Sequence, residues 1–466
     1  MKLASGAVIV GFVLFGCSSN DSPLDRGTDA GTEGGTEGGT DAGVDVDVGV
    51  GVGDAEGGVP GGSFETAMPL QPTKGQAAAT GTLSPPESAS VYFKWTGKKG
   101  DRLRIHAPAT PDHTPFTPGY VDTVLSIYDS QRKLVAENND PVDLSSTDAL
   151  LLTVLPADGV YYLRVLGCDA WERKTTCAPG PLTHTAFAVY LDTIENAIAS
   201  LTDEHAEPND TPANAATLTY TASAPAVAAG AFQQASDVDS FKASFPTQTV
   251  PNNRRAIGYF LAMPAGTTGN GSTAAAAPVT LQDSTGMIVL ARYNPQSQRR
   301  MFAPISFATD YQLLVAGPPQ PGANPFYFLQ YGVTSRPYEA NDASNGIPAN
   351  PEVITAEADG KTYFISGNSG AGDADYFKFG IPAGATKFSF YCYGVQEGSG
   401  VTIHARVLLT NLSAIGGGDV TESATAVAGA ANIAVPGGQT SLLLGVDATS
   451  QDATVTSSNY DCEIFF

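Results

Sequence analysis

The stretch Glu207-Pro208-Asn209-Asp210-Thr211, followed by Ser236-Asp237-Val238-Asp239-Ser240-Phe241-Lys242, sets the organisation of this chain. Both motifs return as Glu339-Ala340-Asn341-Asp342-Ala343 and Gly372-Asp373-Ala374-Asp375-Tyr376-Phe377. The two opening motifs lie 132 residues apart (339 − 207), which is about the length of one domain. The sequence therefore predicts an array of similar domains.

Composition favours β-structure over helical bundles. The chain has 466 residues, enough for about three domains. It is 42% hydrophobic and 15% charged and contains 51 Gly and 32 Pro, a balance typical of short strands joined by many turns. The formal net charge of −23 argues against nucleic acid as a partner, because nothing offsets the repulsion by phosphate.

Three successive parts of the chain share a pattern of short apolar strands. Runs rich in Val, Leu, Tyr and Phe alternate with turns containing Gly, Pro, Asp and Asn at residues 63–198, 203–334 and 335–466. One short helix is expected at residues 193–201, with Asp192 placed to cap its start. We therefore predict an all-β fold of tandem jelly-roll-type β-sandwich domains.

The first residues indicate export and lipidation. Residues 1–16 read as a signal peptide, because the apolar run at 7–15 is too short to span a membrane as a mature helix. The ending Leu14-Phe15-Gly16-Cys17 resembles a bacterial lipobox, which implies cleavage before Cys17 and a membrane anchor of several acyl chains on that residue. Ser18 replaces the Asp of the inner-membrane retention signal, so we expect a surface-exposed outer-membrane lipoprotein of the cell envelope. The alternative is an ordinary secretory signal with a chance cysteine.

Residues 17–62 have low complexity. Between Ser18 and Ser63 lie ten acidic residues against Arg26 alone. A Gly-rich, acidic segment nearly free of aromatic residues cannot bury enough apolar area to offset its chain entropy. We therefore predict a disordered, self-repelling tether.

The cysteines predict an oxidising compartment. Five are present, and removal of the lipidated Cys17 leaves an even number. Cys168 and Cys177 flank a short loop, whereas Cys392 and Cys462 both fall in the last domain. We expect the pairs Cys168–Cys177 and Cys392–Cys462, the second joining the final strand to a strand near residues 388–393.

The ordered motifs resemble the bacterial pre-peptidase C-terminal domain, a family that includes the collagen-binding domains of clostridial collagenases. The resemblance rests on Glu-x-Asn-Asp, then Asp-x-Asp with a Phe, then a Tyr- or Leu-rich strand. Domains 203–334 and 335–466 match best, and domain 63–198 matches through Gly159-Val160-Tyr161-Tyr162-Leu163. Family members usually accompany a protease domain, and no length is left for one here.

In collagen-binding members of that family this arrangement binds calcium. Two aspartates two residues apart on an extended strand point to the same side, and Ca²⁺ takes 6–8 oxygen ligands. The alternative is that the acidic residues only form Asx turns and cap solvated loops. The resemblance implies calcium ligands at Glu207, Asn209, Asp210, Asp237 and Asp239 and, in the third domain, at Glu339, Asn341, Asp342, Asp373 and Asp375.

No catalytic motif is found. Gly-x-Ser-x-Gly and His-Glu-x-x-His are both absent, so we expect a protein that is not an enzyme. Trp171 lies inside the Cys168–Cys177 loop and is a candidate contact for a ligand. The alternative is that its indole folds back as a cover over the sandwich edge.

These observations together predict a binding or adhesion protein for extracellular polysaccharide or protein. Two alternatives stay open: a structural or spacer protein of the envelope without a ligand, and a non-catalytic partner of a secreted hydrolase.

Overall fold

The computed structural model describes most of the chain after the tether. The residues before Pro60, which include Cys17 and nearly all of the predicted tether, lie outside the described residues. Within the described part, no helix has the length and apolar character needed to cross a membrane. The described residues are 60–86, 88–111, 119–139, 148–171, 181–198, 200–204, 206–218, 220, 226–247, 249–250, 254–262, 269–274, 277–293, 300–340, 345–370, 372–423 and 426–466.

The first sandwich consists of two facing sheets. One sheet has the strand order β1-β3-β9-β6-β7, and the other has the order β2-β10-β4-β8, with β5 also paired to β10. The strands are β1 Met68–Pro69, β2 Gln76–Thr82, β3 Ser90–Gly97, β4 Arg102–Ala107, β5 Ala109–Thr110, β6 Thr123–Tyr128, β7 Leu134–Asn138, β8 Ala149–Val154, β9 Gly159–Gly167 and β10 Ala186–Thr193.

The second sandwich repeats this arrangement. Its sheets have the orders β12-β14-β19-β16-β17 and β11-β13-β20-β15-β18. The strands are β11 Leu201–Asp203, β12 Ala216–Thr217, β13 Ala226–Ala231, β14 Val238–Ser244, β15 Arg254–Ala262, β16 Val279–Asp283, β17 Val289–Tyr293, β18 Met301–Pro304, β19 Asp310–Ala316 and β20 Phe326–Pro337.

The third sandwich has the orders β21-β23-β28-β25-β26 and β22-β29-β24-β27. Apart from the short extra strands β5 and β11, these orders match those of the first two sandwiches, which confirms the predicted all-β fold of tandem jelly-roll-type sandwiches. The strands are β21 Glu352–Val353, β22 Thr362–Asn368, β23 Ala374–Gly380, β24 Lys387–Tyr393, β25 Val401–Leu408, β26 Ala414–Thr421, β27 Ala428–Ala434, β28 Ser441–Gln451 and β29 Asn459–Phe465.

Alternating side chains build one core between the sheets of each sandwich. Along Val401–Leu408, buried and half-buried residues alternate strictly, as expected when one face of a strand packs and the other meets solvent. In the first sandwich Trp95 is buried and stacks on Tyr161 with the ring centroids 5.6 Å apart. Trp95 is therefore a core residue, as its strand position indicates.

Two short predictions differ from the structure. The expected helix at residues 193–201 is only Ile194–Ala197, it follows Thr193 without a side-chain cap, and Asp192 belongs to β10. The chain then forms β11 instead of continuing the helix, because its backbone pairs with β13 of the second sandwich. Strand β20 also continues to Pro337, three residues beyond residue 334.

The junction between the first two sandwiches is apolar and ion-paired. Arg102 on β4 bonds to both Glu195 and Asp203. Backbone bonds add to this contact, since the N–H of Glu137 donates to the carbonyl of Gly269 at 2.8 Å. The apolar cluster at the junction consists of Leu152, Ile194, Val227, Ala229, Phe326 and Phe328.

The junction between the second and third sandwiches holds buried charges. Arg300 bonds to Glu397 and lies 3.3 Å from Glu463, which also accepts from Arg336 at 3.2 Å. The guanidinium of Arg336 stacks 4.0 Å above the Phe364 ring. All four charged side chains are nearly excluded from solvent, so removal of any one partner would leave an uncompensated buried charge.

The predicted disulfide Cys392–Cys462 is confirmed. The two cysteines are direct neighbours on β24 and β29 and lie in the core of the third sandwich. Cys168 is also disulfide-bonded, but Cys177 lies outside the described residues, so the pair Cys168–Cys177 stays a prediction.

Candidate metal centre

A leading segment, residues 204–218, crosses the end of the second sandwich before β13 begins. Its first N–H, from Glu204, donates to the carbonyl of Ala229 at 3.0 Å, and its last, from Leu218, donates to that of Lys242 at 2.8 Å. Between them the carbonyl of Asn209 accepts from the N–H of Ser240 at 3.3 Å. These bonds hold the Glu-Pro-Asn-Asp motif against the start of β14.

Three acidic side chains meet where this segment crosses β14. Glu207, Asp210 and Asp237 each offer one carboxylate oxygen, and these atoms all lie within 4.8 Å of one another. Asp210 is exposed, Glu207 is half-buried and Asp237 is buried. The opening motif thus folds back onto Asp237 in the second sandwich, whereas Asp239 is not part of this three-residue cluster.

Three carboxylates at the site each use one oxygen to accept a backbone hydrogen bond. Asp237 accepts from the N–H of Gln233 at 2.6 Å and Glu207 from that of Asn209 at 2.9 Å. Glu204, which our sequence prediction missed, accepts from the N–H of Ala231 at 3.1 Å. These backbone bonds orient the side chains and leave the second oxygen of each carboxylate for another partner.

The remaining carboxylate oxygens accept no hydrogen bond of standard geometry. Oδ1 of Asp237, Oε1 of Glu207, Oε2 of Glu204 and both carboxylate oxygens of Asp239 are buried without a hydrogen bond of standard geometry. A buried acceptor without a donor costs about 1–3 kcal/mol, and such atoms in a native protein point to a missing water or ion. A hard cation with a preference for carboxylate oxygens fits this donor set.

Burial and mutual repulsion perturb the acids at this site. Burial raises the pKa of Asp239 to about 6, against the opposing effect of the nearby Tyr327 hydroxyl. Burial, and then the charge of Asp239, raise the pKa of Glu204 well above its ordinary value. Among the described residues, none of the ion pairs involves either acid, so a bound cation would supply the opposite charge that the protein lacks here.

The missed residue Glu204 carries only a weak local signal. It precedes the Glu-Pro-Asn-Asp motif by three residues, and it reaches the site because β11 pairs with β13. Tyr327 comes from β20, more than a hundred residues later, and Gly230 lies opposite it. A Cβ on Gly230 would lie 2.4 Å from both Oε2 of Glu204 and the Tyr327 hydroxyl, so glycine leaves the space in which acid and phenol meet.

The third sandwich has the same backbone arrangement around this position, but its acidic residues align differently from what the motifs suggest. Glu339 donates its N–H to the carbonyl of Ser366 at 2.9 Å, which is the place of Glu204 and not that of Glu207. Asp375 is fully buried and accepts from the Tyr460 hydroxyl at 2.8 Å. The sequence alignment of Glu339 with Glu207 is therefore wrong. The backbone pairing of Glu339, and not the similarity of its motif, determines which residue of the second sandwich it corresponds to.

One residue of the third sandwich, Asn345, was missed by our sequence prediction, and of the remaining predicted residues only Asp373 is described. Asn345 donates no side-chain bond, is fully buried, and stands where Asn209 stands, since its carbonyl accepts from the N–H of Tyr376 at 3.0 Å. Asp373 is half-buried at the start of β23. Asn341 and Asp342 lie outside the described residues.

The first sandwich has no oxygen donors at the equivalent side chains. By the strand register, Val91 takes the place of Asp239, and Phe187 takes that of Tyr327. The array therefore carries a complete acidic site in its second sandwich and none at this position in its first.

Trp171 lies at the edge of the first sandwich. Its half-buried ring packs on a small cluster with Val124, Leu166 and Cys168, and its indole nitrogen is buried. The indole thus covers the sandwich edge in this conformation. A contact between Trp171 and a ligand stays a prediction, since residues 172–180 lie outside the described part of the chain.

No protein-family model matches the chain, and no curated protein matches it. Among solved structures, the chain is similar to PliG, a periplasmic inhibitor of g-type lysozyme from Aeromonas hydrophila, at 12% identity and a TM-score of 0.19, covering 27% of this chain and 94% of that one. A putative secreted protein from Eubacterium rectale has 11% identity and a TM-score of 0.16, over 55% of this chain and 74% of that one. A triple jelly-roll protein of an archaeal virus has 11% identity and a TM-score of 0.15, over 86% and 82%. Similarities at this level carry no argument about function.

The raised carboxyl pKa values predict an unusual pH dependence in EDTA. Because the pKa of Asp239 is higher in the folded than in the unfolded chain, the native state binds the extra proton, and stability falls as pH rises from about 4, the ordinary value of a free carboxyl, through 6. We expect Asp239→Asn to reduce this fall and to raise the free energy of unfolding at pH 8 by about 1–3 kcal/mol. Urea unfolding at pH 5 and pH 8 measures both.

The matched control is Asp310→Asn in the same sandwich. Asp310 forms an exposed ion pair with Lys242 at 2.9 Å, and its loss is expected to change stability by less than about 1 kcal/mol. An Asp239→Asn variant that is less stable than wild type at pH 8 would contradict the assignment of an uncompensated buried charge.

Proposed function

We propose that the protein is a non-catalytic binding protein of the cell envelope whose second sandwich is stabilised by a bound calcium ion. The convergence of Glu207, Asp210 and Asp237, together with the buried carboxylate of Asp239 on the adjacent strand, supports this proposal. The sequence resemblance to collagen-binding pre-peptidase domains supports calcium as the cation, because the same motif residues form the cluster. Glu204 and the side-chain oxygen of Asn209 would complete a set of six to eight ligands.

In this proposal calcium ties the leading segment to the body of the sandwich. Glu207 and Asp210 belong to the leading segment, whereas Asp237 directly precedes β14 and Asp239 lies at its start. A cation between them would neutralise four carboxylates that otherwise repel one another. The ion would therefore fix the orientation of the second sandwich relative to the first, because it holds the segment that follows β11.

The ligand that we propose is an extracellular polysaccharide or protein. The packed junctions of the three sandwiches favour a rigid array, in which surfaces of neighbouring domains keep one relative orientation. The same rigidity also suits a spacer protein without a ligand, which is the second candidate. A partner role beside a secreted hydrolase is the third, and co-purification of a hydrolase from native membranes would support it.

Calcium is expected to raise the melting temperature of the wild-type chain. A native-state ligand at 100 times its Kd contributes about 2.7 kcal/mol of stability. We expect no calcium response in Asp239→Asn and an unchanged response in Asp310→Asn, as measured by calorimetry in EDTA and in millimolar Ca²⁺. Equal melting temperatures of the wild type under both conditions would remove the calcium proposal.

A binding assay distinguishes the adhesion protein from the spacer protein. We expect the wild-type chain to bind at least one of immobilised collagen, chitin and cell-wall polymer in a solid-phase assay with calcium present. If Trp171 contacts the ligand, Trp171→Ala lowers that binding while the melting temperature changes little. Failure on all three surfaces favours the spacer, and this outcome leaves the calcium result unaffected.

We propose that lipidation of Cys17 holds the array at the outer membrane. The wild-type protein expressed in a bacterium is expected to partition into the detergent phase, because several acyl chains anchor stably. Cys17→Ser is expected to partition into the aqueous phase. An aqueous wild type would indicate an ordinary secretory signal instead.

A further inference from the structure

A cavity lies on the outer face of the second sandwich, under its leading segment. It has a volume of about 180 Å³ and lies between the leading segment and the strands β14 and β19. Ser240 and Lys242 alternate with the core residue Phe241 along β14, so both point away from the core. The residues that line the cavity include Pro212, Ala215, Ser240, Lys242, Asp310 and Gln312.

Backbone contacts identify the residues of the other two sandwiches that correspond to this lining. In each sandwich a carbonyl of the incoming chain accepts a hydrogen bond from the facing long strand, and the short leading strand (β1, β12 or β21) begins seven residues later (68 − 61, 216 − 209 and 352 − 345). The bonds run from Tyr92 to Gly61 at 2.7 Å, from Ser240 to Asn209 at 3.3 Å and from Tyr376 to Asn345 at 3.0 Å. Ser240 therefore takes the position at which both other sandwiches have a tyrosine.

In the first sandwich an aromatic ring of the chain fills the corresponding place. The centroid of the Phe64 ring lies 4.7 Å from that of Tyr92, and 5.2 and 5.3 Å from those of Tyr128 and Tyr162. All four side chains are half-buried, so Phe64 forms a cover over the three tyrosines.

The second sandwich has no aromatic ring at three of these four positions. The replacements, fixed by the backbone contacts and by the strand register, are Pro212 for Phe64, Ser240 for Tyr92 and Gln312 for Tyr162. A cavity of about 150 Å³ accommodates a benzene ring. The second sandwich therefore has room for one six-membered ring, and none of its described residues fills that space.

The lining of the cavity is polar and includes a buried hydroxyl without a partner. Ser240 is 2% exposed, and its Oγ forms no hydrogen bond among the described residues. Lys242 forms an ion pair with Asp310 at 2.9 Å, and each of these side chains is about half exposed, so the pair marks the mouth of the cavity. Nε2 of Gln312 donates to the carbonyl of Ser284 at 3.0 Å, which fixes the amide at the wall.

We propose that this cavity binds one sugar ring of an extracellular polysaccharide, a proposal that rests on the proposed binding function and names its ligand class and site. A pyranose is a six-membered ring like that of Phe64, but its hydroxyl groups both donate and accept hydrogen bonds. One hydroxyl satisfies Ser240 inside the cavity, and others reach the Lys242–Asp310 pair at the mouth. An aromatic side chain of a protein partner would leave the Ser240 hydroxyl buried without a hydrogen bond, which is unfavourable.

Binding of the full-length mature chain to immobilised chitin and cell-wall glycan tests the site, with collagen as the protein probe. We expect the wild type to bind at least one of the two glycans. Ser240→Tyr introduces the residue of the other two sandwiches and fills the cavity, so we expect it to weaken this binding at least about tenfold. Ser240→Ala keeps the cavity and removes one hydrogen bond, for which we expect a loss of about fivefold.

The matched control is Lys378→Ala in the third sandwich. Lys378 and Lys242 each directly follow the phenylalanine that pairs with the leading strand. We expect Lys242→Ala to weaken glycan binding about fivefold and Lys378→Ala to leave it unchanged. Melting temperatures in EDTA and in calcium report on folding and on the cation site of each variant independently of glycan binding.

The outcomes separate this site from the proposed function. Glycan binding by folded Ser240→Tyr at the wild-type level would overturn the site and leave the adhesion proposal intact. If Ser240→Tyr does not fold, wild-type binding by both Ser240→Ala and Lys242→Ala would overturn the site. Binding of the wild type to collagen alone would identify a protein ligand and overturn the sugar class, whereas binding to none of the three probes would overturn the adhesion proposal as well.

Discussion

The rest of the structure depends on one constraint, the parallel pairing of a two-residue leading strand with the second long strand of each sandwich. β1 pairs with β3, β12 with β14 and β21 with β23, always beside a buried phenylalanine. The residue two places earlier lies on the same side of the strand as this phenylalanine and faces the incoming chain. This position is occupied by Val91 in the first sandwich, Asp239 in the second and Asp375 in the third. The same strand position therefore carries an apolar side chain in one sandwich and an acidic side chain in the other two.

A second constraint comes from the glycine opposite an aromatic ring. Gly230 leaves room for the Glu204 carboxylate above Tyr327, and Gly367 does the same for Glu339 and Tyr460. Any side chain at either glycine would collide with the acid and the phenol. In the first sandwich the ring is that of a phenylalanine, which cannot donate a hydrogen bond. The first sandwich therefore keeps the glycine–aromatic strand pair but lacks the hydroxyl that faces the acid in the other two.

The junctions show how neighbouring sandwiches contact each other. Apolar contacts dominate the first junction, whereas buried arginines and glutamates dominate the second. Burial raises the pKa of Glu397 to about 8 even though Arg300 opposes this effect. Buried ion pairs stabilise weakly, but they penalise any arrangement that separates the partners. The second junction therefore favours one orientation of the third sandwich over the alternatives.

The sequence alone determined the all-β class, the number of sandwiches, and most strands with strong alternation, such as β4 and β25, because these follow from local side-chain periodicity. It also indicated that the opening motif meets Asp237, which the cluster of Glu207, Asp210 and Asp237 shows. Strands β2 and β13 carry no such periodicity, because they are rich in Ala and Gly, which have little β-preference of their own. Tertiary structure decided that Glu204 and Tyr327 join the acidic site and that Glu339 takes the place of Glu204. Those positions are set by backbone pairing between segments far apart in the chain, and no local pattern records such pairing.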